Sequence, residues 1–313
     1  DTGDIKHTLG LRADYLTLNY WQHSAATSNA FDTNLYDPIV DASEQMPTSY
    51  PTIVPYADNR YVSYTLTDQM SMLDDKLQVI LGARYQDIDT KNLYKKTKYS
   101  SDKLSPSLGL VVKPFGEDLS FYASYVEGLS EGVTVSDMTY PTATNKGETL
   151  APYQTKQYEL GTKYQVGSWL NTLALYQIEK PEAYQDSTSL EVKDDAETRS
   201  RGIEFSTAGQ LTEDLSLMAN LAYIDAEYVK SGTASQVGNT VIGTPDFTAG
   251  LGLDYKIPVV EGMSVNARAS YVSEQYLNTD NRLELPDYTI LDLGAKYATK
   301  IGGVYTTFRA NVN

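Results

Sequence analysis

The 313-residue chain is 41% hydrophobic and 21% charged, with 26 Tyr against 6 Phe and 2 Trp, which is the make-up of a large folded unit and excludes a disordered or low-complexity chain. Its formal charge of −16 excludes nucleic-acid binding through a broad basic surface, and the absence of cysteine excludes disulfides, thiol nucleophiles and cysteine-held metals. With His7 and His23 the sole imidazoles, the usual nucleophile and base arrangements lack their parts, so the chain is read as a non-enzyme with no catalytic or metal-ligating residue.

In chain order the hydrophobic period is two almost everywhere. The chain opens on DTGDIKHTLG, already close to a strand, and reads as part of something longer. A first strand at about Thr8–Tyr20 is followed by a long polar segment, Gln22–Asp58. After the short turn Asp74–Lys76 comes Leu77–Tyr85, with Leu77, Val79, Leu81, Ala83 and Tyr85 on one face and Gln78, Gly82 and Arg84 on the other, broken by Ile80. Long Asp87–Lys103, short Pro114–Asp118, long Glu127–Pro152, short Gln165–Ser168, long Glu179–Glu197 and short Gln210–Asp214 then alternate as connections. Leu215–Tyr223 sets Leu215, Leu217, Ala219, Leu221 and Tyr223 against Ser216, Met218, Asn220 and Ala222. Beyond long Val229–Thr244, Phe247–Tyr255 opposes Phe247, Ala249, Leu251, Leu253 and Tyr255 to Thr248, Gly250, Gly252 and Asp254. Short Ile257–Gly262 leads to Met263–Tyr271, whose polar row is Ser264, Asn266, Arg268 and Ser270. Long Ser273–Pro286 and short Ala298–Gly303 precede the last strand, Val304–Val312.

Connections that are short at one end and long at the other are the asymmetry of an outer-membrane barrel. The fold class is therefore all-β, an antiparallel transmembrane β-barrel, and the segments count to about thirteen strands of the roughly 9–11 residues that a tilted membrane strand needs. Thirteen is odd for such a barrel, and Thr8–Tyr20 and Val304–Val312 would be open edges, so closure has to come from further strands. Aromatic residues near strand ends, namely Tyr15, Tyr20, Trp21, Tyr61, Tyr85, Tyr125, Tyr164, Trp169, Tyr223, Tyr255, Tyr271, Tyr288 and Tyr297, fit two interfacial girdles.

Several stretches bring a family into view. ETRSRGIEFSTAGQLTEDLSLMANLAYIDAEY resembles the Arg-Gly-x-Glu hairpin of TonB-dependent siderophore receptors, and LAPYQTKQYELGTKYQVGSWLNTLALYQIEK resembles the strand pair before it. LQVILGARYQDID, LSPSLGLVVKPFGEDLSFYASYVEG and LPDYTILDLGAKY followed by TTFRANVN are similar to the same family, in order along nearly the whole chain. The resemblance implies a 22-stranded barrel of the bacterial outer membrane with a plug in its lumen. Residues 1–313 would be part of that barrel, about strands 9 to 21, with the plug domain, the N-terminal strands and the last strand outside them. The implied function is import of a ferric siderophore, of the hydroxamate type by resemblance, with energy from the TonB–ExbB–ExbD complex acting through the plug. Iron would stay ligated by the siderophore, so no cofactor is expected; the other implied partners are outer-membrane lipid and lipopolysaccharide, and no nucleic acid.

On the barrel phasing Ile203, Phe205, Leu215, Leu217, Leu221 and Tyr223 face lipid, while Gly202, Glu204, Ser206, Ser216 and Asn220 face the lumen. Arg199 and Arg201 share the lipid parity near the outer end, where they either reach anionic headgroups or pair with loop acids such as Asp194, Asp195 or Glu197. Arg84, Glu204 and Arg268 are the residues to contact a plug or to pair across strands. Siderophore contacts are expected from Trp21, Tyr36, Tyr50, Tyr56, Tyr140, Tyr153 and Tyr184, which offer flat faces and hydroxyls in the long loops. Glu182, Asp186, Asp194, Asp195 and Glu197 lack the spacing of a calcium loop and read as a solvated acidic segment. A passive porin and a soluble all-β adhesin or carbohydrate-binding module are the alternatives from other classes.

Overall fold

The computed structural model describes residues 5–22, 53–93, 96–130, 132–136 and 139–312. Its strands are β1 (Lys6–Gln22), β2 (Val54–Met72), β3 (Leu77–Asn92), β4 (Thr97–Val112), β5 (Leu119–Ser130), β6 (Tyr153–Val166), β7 (Trp169–Gln185), β8 (Val192–Gln210), β9 (Leu215–Lys230), β10 (Phe247–Lys256), β11 (Met263–Val272), β12 (Gln275–Tyr276), β13 (Glu284–Leu285), β14 (Tyr288–Ile301) and β15 (Val304–Val312). Thirteen of them make one antiparallel sheet in chain order, with β12 and β13 pairing by themselves inside the connection from β11 to β14. The expected strand number and the up-and-down order are both present.

Alternation along each strand gives the sheet two unlike faces. In the β8–β9 hairpin Ile203 lies opposite Tyr223 and Phe205 opposite Leu221, while Glu204 faces Ala222 and Ser206 faces Asn220. Directly opposed residues share a face, so Ile203, Phe205, Leu221 and Tyr223 fall together and the polar set falls on the other side, as the phasing predicts. Carried across the register, the apolar face runs through Leu66, Leu81, Leu108, Leu160, Leu175, Leu251 and Leu291. Nothing covers it: Leu11 is 84% exposed and Leu291 58%. Among the described residues, substantial contacts join each strand only to its hydrogen-bonded neighbours, and no second layer lies against the sheet. An apolar face this large has no place in water, and among the described residues no sandwich core covers it; hydrocarbon is the solvent that suits it. The soluble all-β module is thereby set aside.

Short turns close one end of the ladder. Gly302 and Gly303 carry φ of 58° and 86°, the two left-handed residues that a two-residue hairpin requires and that only glycine adopts without strain. At the other end the strands outrun the expectation. Asp87–Lys103 and Glu179–Glu197 read as long loops, yet β3 continues to Asn92, β4 starts at Thr97, β7 continues to Gln185 and β8 starts at Val192. Ion pairs between strands replace the apolar face there. Arg60 on β2 bonds Asp89 on β3, and Lys98 on β4 lies 3.9 Å from the same carboxylate. Polar residues on both faces hide the period of two from a hydropathy reading but do not disturb the backbone ladder.

Two prolines mark where ladders part. Pairing of β4 with β5 begins at Ser107, next to Pro106, and pairing of β6 with β7 ends at Glu179, two residues before Pro181. A residue with no N–H to donate sits where a neighbouring strand is no longer needed. Two girdle assignments are corrected by register: Tyr61 shares the polar face of Ser63, and Tyr288, opposite Val272, shares the polar face of Ser270. Spacing near a strand end does not reveal parity. At Tyr20 and Trp21 a bulge interrupts the phase, with Tyr20 paired to Ala57 and Trp21 to Pro55. The remaining aromatics include contacting pairs on the apolar face, Tyr125 with Tyr158 at 5.0 Å and Phe247 with Tyr271 at 6.1 Å between ring centroids.

Candidate functional site

The polar face of β5–β9 carries an acidic pocket of about 390 Å³, lined by Tyr122, Glu159, Thr172, Glu204, Ser206 and Asn220 among others. Two rows of the ladder build it. One row runs Tyr122, Gly161, Ala174, Glu204; the next runs Glu159, Tyr176, Gly202. Each tyrosine lies across the glycine of the following strand: a Cβ on Gly161 would sit 2.5 Å from Tyr122 Cζ, and one on Gly202 equally close to Tyr176 Cζ. Gly202, the glycine of the RGIE run, thus makes room for an aromatic ring.

With its ring lying flat, Tyr122 donates from its hydroxyl to Glu159 Oε1 at 2.7 Å, and Gln157 Nε2 donates to Glu159 Oε2 at 3.1 Å. Among the described residues no Lys or Arg pairs with Glu159 or Glu204. Ala174, directly opposite Glu204, is too short to fill the space between the two carboxylates. Lys163 Nζ lies 5.6 Å from the centroid of the Tyr122 ring at the edge of this pocket. Glu204 was legible from the RGIE run; Glu159 was not singled out, although Glu159-Leu-Gly161 carries the same Glu and Gly in reverse order two strands earlier.

The other polar-face candidates lie apart from it. Arg268 on β11 stands opposite Gly252 on one side and Asp292 on the other. Arg84 on β3 stands opposite Thr65 and Ser105 and donates from Nη2 to Ser63 Oγ at 3.1 Å.

The ends away from the short turns form two clasped loop pairs. Residues 132–136 and 139–152 fold against the β7–β8 tip, where Val135, Ala143, Leu150 and Val192 make a small core with Tyr140 packed on it. Asn145 acts as an extra strand residue: its Nδ2 donates to Val192 O at 3.0 Å and its Oδ1 accepts Val192 N–H at 2.9 Å. Asn281 does the same between the β11–β14 and β9–β10 loops, taking Thr240 N–H at 2.7 Å and giving to Thr240 O at 3.0 Å. Asp186 accepts N–H bonds from Ser189 and Thr188, which with Lys193 hold its carboxyl well below the ordinary range. Lys230 Nζ and the Tyr184 hydroxyl both bond the Asp195 carboxylate.

These loops locate the aromatic candidates. Tyr153 is 7% exposed and Tyr140 belongs to the loop core, so both support the loop from within. Tyr184 bonds Asp195 and lies against Gly232, Tyr56 is half-buried on β2, and Trp21 is 61% exposed at the end of β1. Tyr36 and Tyr50 lie outside the described residues. The structure therefore groups Tyr140 and Tyr153 and leaves Trp21 apart.

Arg199 and Arg201 stand on the apolar-face parity but above its leucines. Their partners are not the loop acids: Arg199 bonds Glu227 and Arg201 Nε donates to Gln177 Oε1 at 2.8 Å. Adjacent strands present their side chains directly, whereas Asp186 and Asp195 are taken by Lys193 at 3.2 Å and Lys230 at 2.8 Å. Among the described residues no group of three or more His, Asp or Glu is placed to hold a metal ion.

Comparison with known proteins places this architecture. A family model described as "TonB dependent receptor-like, beta-barrel" matches residues 1–313. The chain is 31% identical to a ferrichrome receptor of Yersinia enterocolitica, covering 100% of the chain and 42% of that protein. It is 28% identical to a ferrioxamine B receptor of Salmonella typhimurium, covering 100% of the chain and 44% of that receptor. Among solved structures, the ferric preacinetobactin receptor of Acinetobacter baumannii matches with a TM-score of 0.86 and 32% identity, over 99% of this chain and 47% of that one. The chain thus spans less than half the length of these relatives, all of them receptors. Its one-layer sheet, apolar outer face and polar inner face make it an outer-membrane β-barrel, and the chain belongs to the TonB-dependent receptors.

Proposed function

We propose that the receptor containing this chain binds a ferric siderophore, of the hydroxamate type, at its outer mouth and imports it through the lumen on energy from the TonB–ExbB–ExbD complex. The carrying observation is the end-to-end match of the chain to receptors named for ferrichrome and ferrioxamine B. Iron stays within the chelate in this reading, and the protein supplies shape and hydrogen bonds. Trp21 offers an exposed ring for contact, while Tyr140, Tyr153 and Tyr184 hold the clasped loops in place and Tyr56, Tyr36 and Tyr50 complete the aromatic set. Outside the barrel, Arg199 and Arg201 meet the headgroups of lipopolysaccharide.

Within the lumen, Glu159 and Glu204 receive a cationic side chain of the plug, through which TonB acts, and Arg84 and Arg268 complete the plug-facing set. The acid pocket has two carboxylates with Ala174 between their strands, and among the described residues neither is in an ion pair, the nearby Lys163 lying instead over the Tyr122 ring.

The test is ferric-hydroxamate binding by the full-length receptor in detergent. Binding by the intact receptor is expected, with at least about a hundred-fold loss, some 3 kcal/mol, on removing residues 132–151. That segment leaves β5 and β6 whole, so retained barrel structure in circular dichroism separates lost contact from lost fold. No binding by the intact receptor, or undiminished affinity after the deletion, defeats the reading.

A further inference from the structure

A second charged site of opposite sign lies on the lumen wall at β1–β3. Asp14 accepts Arg12 Nε and Nη2, each at 2.7 Å, and its other oxygen accepts the Ser63 hydroxyl at 3.3 Å. Ser63 is 3% exposed and accepts Arg84 Nη2 at 3.1 Å. Arg12 thus pairs with the Asp14 carboxylate while Arg84 reaches it only through Ser63, and among the described residues no second carboxylate pairs with Arg84. Ser63 is the sole described acceptor of Arg84, which has five N–H donors in a planar fork. They line an open groove of about 910 Å³ with Tyr61, Thr65 and Gln86.

Depth ties this groove to the acidic pocket. Arg84 is seven residues from Leu77, where β3 leaves its short turn, and Glu159 is seven residues from Val166, where β6 enters one. Glu204 is six residues from Gln210 on the same side. At a rise of about 3.4 Å per residue and a tilt near 40°, all three stand roughly 16–18 Å above the short-turn rim. The wall therefore presents a basic site on β1–β3 and an acidic site on β6–β8 at one level.

We propose that the Arg12–Asp14–Arg84 groove seats a carboxylate of the domain that fills the lumen. This rests on the plugged-receptor reading above. A guanidinium takes a carboxylate in a two-pronged bond, and a net charge enclosed between wall and plug is costly unless paired. Two sites of opposite sign at one depth also fix the rotation of the enclosed domain, because a turn by the three strands separating β3 from β6 brings like charges together. The groove is a key for orientation as well as a contact.

Full-length receptor bearing Arg84→Lys, and separately Arg12→Lys, is treated with a water-soluble carbodiimide, which joins an amine to a carboxylate touching it. Digestion and peptide mass spectrometry then identify the coupled acid. The expected product joins the introduced amine to an Asp or Glu outside residues 1–313. Coupling to Asp14 alone, coupling only to a carboxylate of added ferric chelate, or no coupling in either variant overturns the proposal. Ferric-hydroxamate binding is measured on the same samples: intact binding without the coupled product sinks this inference alone, whereas a wild-type receptor that binds no chelate sinks the transport reading.

Discussion

Leu175→Arg is expected to destabilise the barrel in a bilayer by about 2–4 kcal/mol, the cost of an arginine on a lipid face near the midplane. Leu175 is six residues from the start of β7, 48% exposed, and flanked on its face by Leu160 and Ile203. Against a neighbouring sheet the same change would be a buried charge; against water it would be nearly neutral. The paired control is Gln165→Arg, on the exposed polar face of β6 near its short turn and outside the acidic pocket, which should stay within about 0.5 kcal/mol. Unfolding of the full-length receptor from lipid vesicles by denaturant reads both. Equal effects of the two substitutions would contradict the assignment of faces.

The second large effect concerns the acidic pocket. Changing Glu159→Gln and Glu204→Gln together keeps the shape of the wall and removes both carboxylate charges of the pocket. A cation left enclosed without its partner costs about 3–5 kcal/mol. At roughly 2–4 °C per kcal/mol, the shift for a domain of about 150–250 residues, the plug's thermal transition should fall by about 6–20 °C. Calorimetry of the full-length receptor separates that transition from the barrel's. A plug transition that does not move would show that the pocket holds no charge of the plug. Tyr122, whose ring lies over Gly161, would lose its charged acceptor, but its seat on the glycine remains.

The membrane part of the fold was legible because one physical rule governs it: every second residue of a strand meets lipid. Leu215, Leu217, Leu221 and Tyr223 state that rule openly, and the short turns punctuate it. Above the bilayer the rule lapses. Asp87–Lys103 gives no alternating hydrophobic signal, and cross-strand pairs such as Arg60 with Asp89 between β2 and β3, and Lys98 with Asp89 between β4 and β3, join the strands there. Partners across strands were also hidden, since Arg199 meets Glu227 only once the β8–β9 register is known. The same holds for the acid pocket. Glu159 and Glu204 are 45 positions apart in the sequence and become neighbours because β7 offers Ala174 and Tyr176 between them. The loop tyrosines carried no parity to reason from, and three-dimensional packing shows Tyr153 buried where a sequence reading sees an exposed ring.

The identity of the medium on each side of the sheet can be measured directly with single labels, since residues 1–313 contain no cysteine and any cysteine elsewhere in the receptor can be replaced by serine. A nitroxide placed in turn at each position from Leu217 to Tyr223, in the full-length receptor reconstituted into bilayers, reports collisions with oxygen, which concentrates in lipid, and with a water-soluble nickel chelate. Oxygen contact is predicted to peak at Leu217, Ala219, Leu221 and Tyr223 and to drop at Met218, Asn220 and Ala222. A profile without that period of two, or with the two sets exchanged, would contradict a lipid-facing apolar surface.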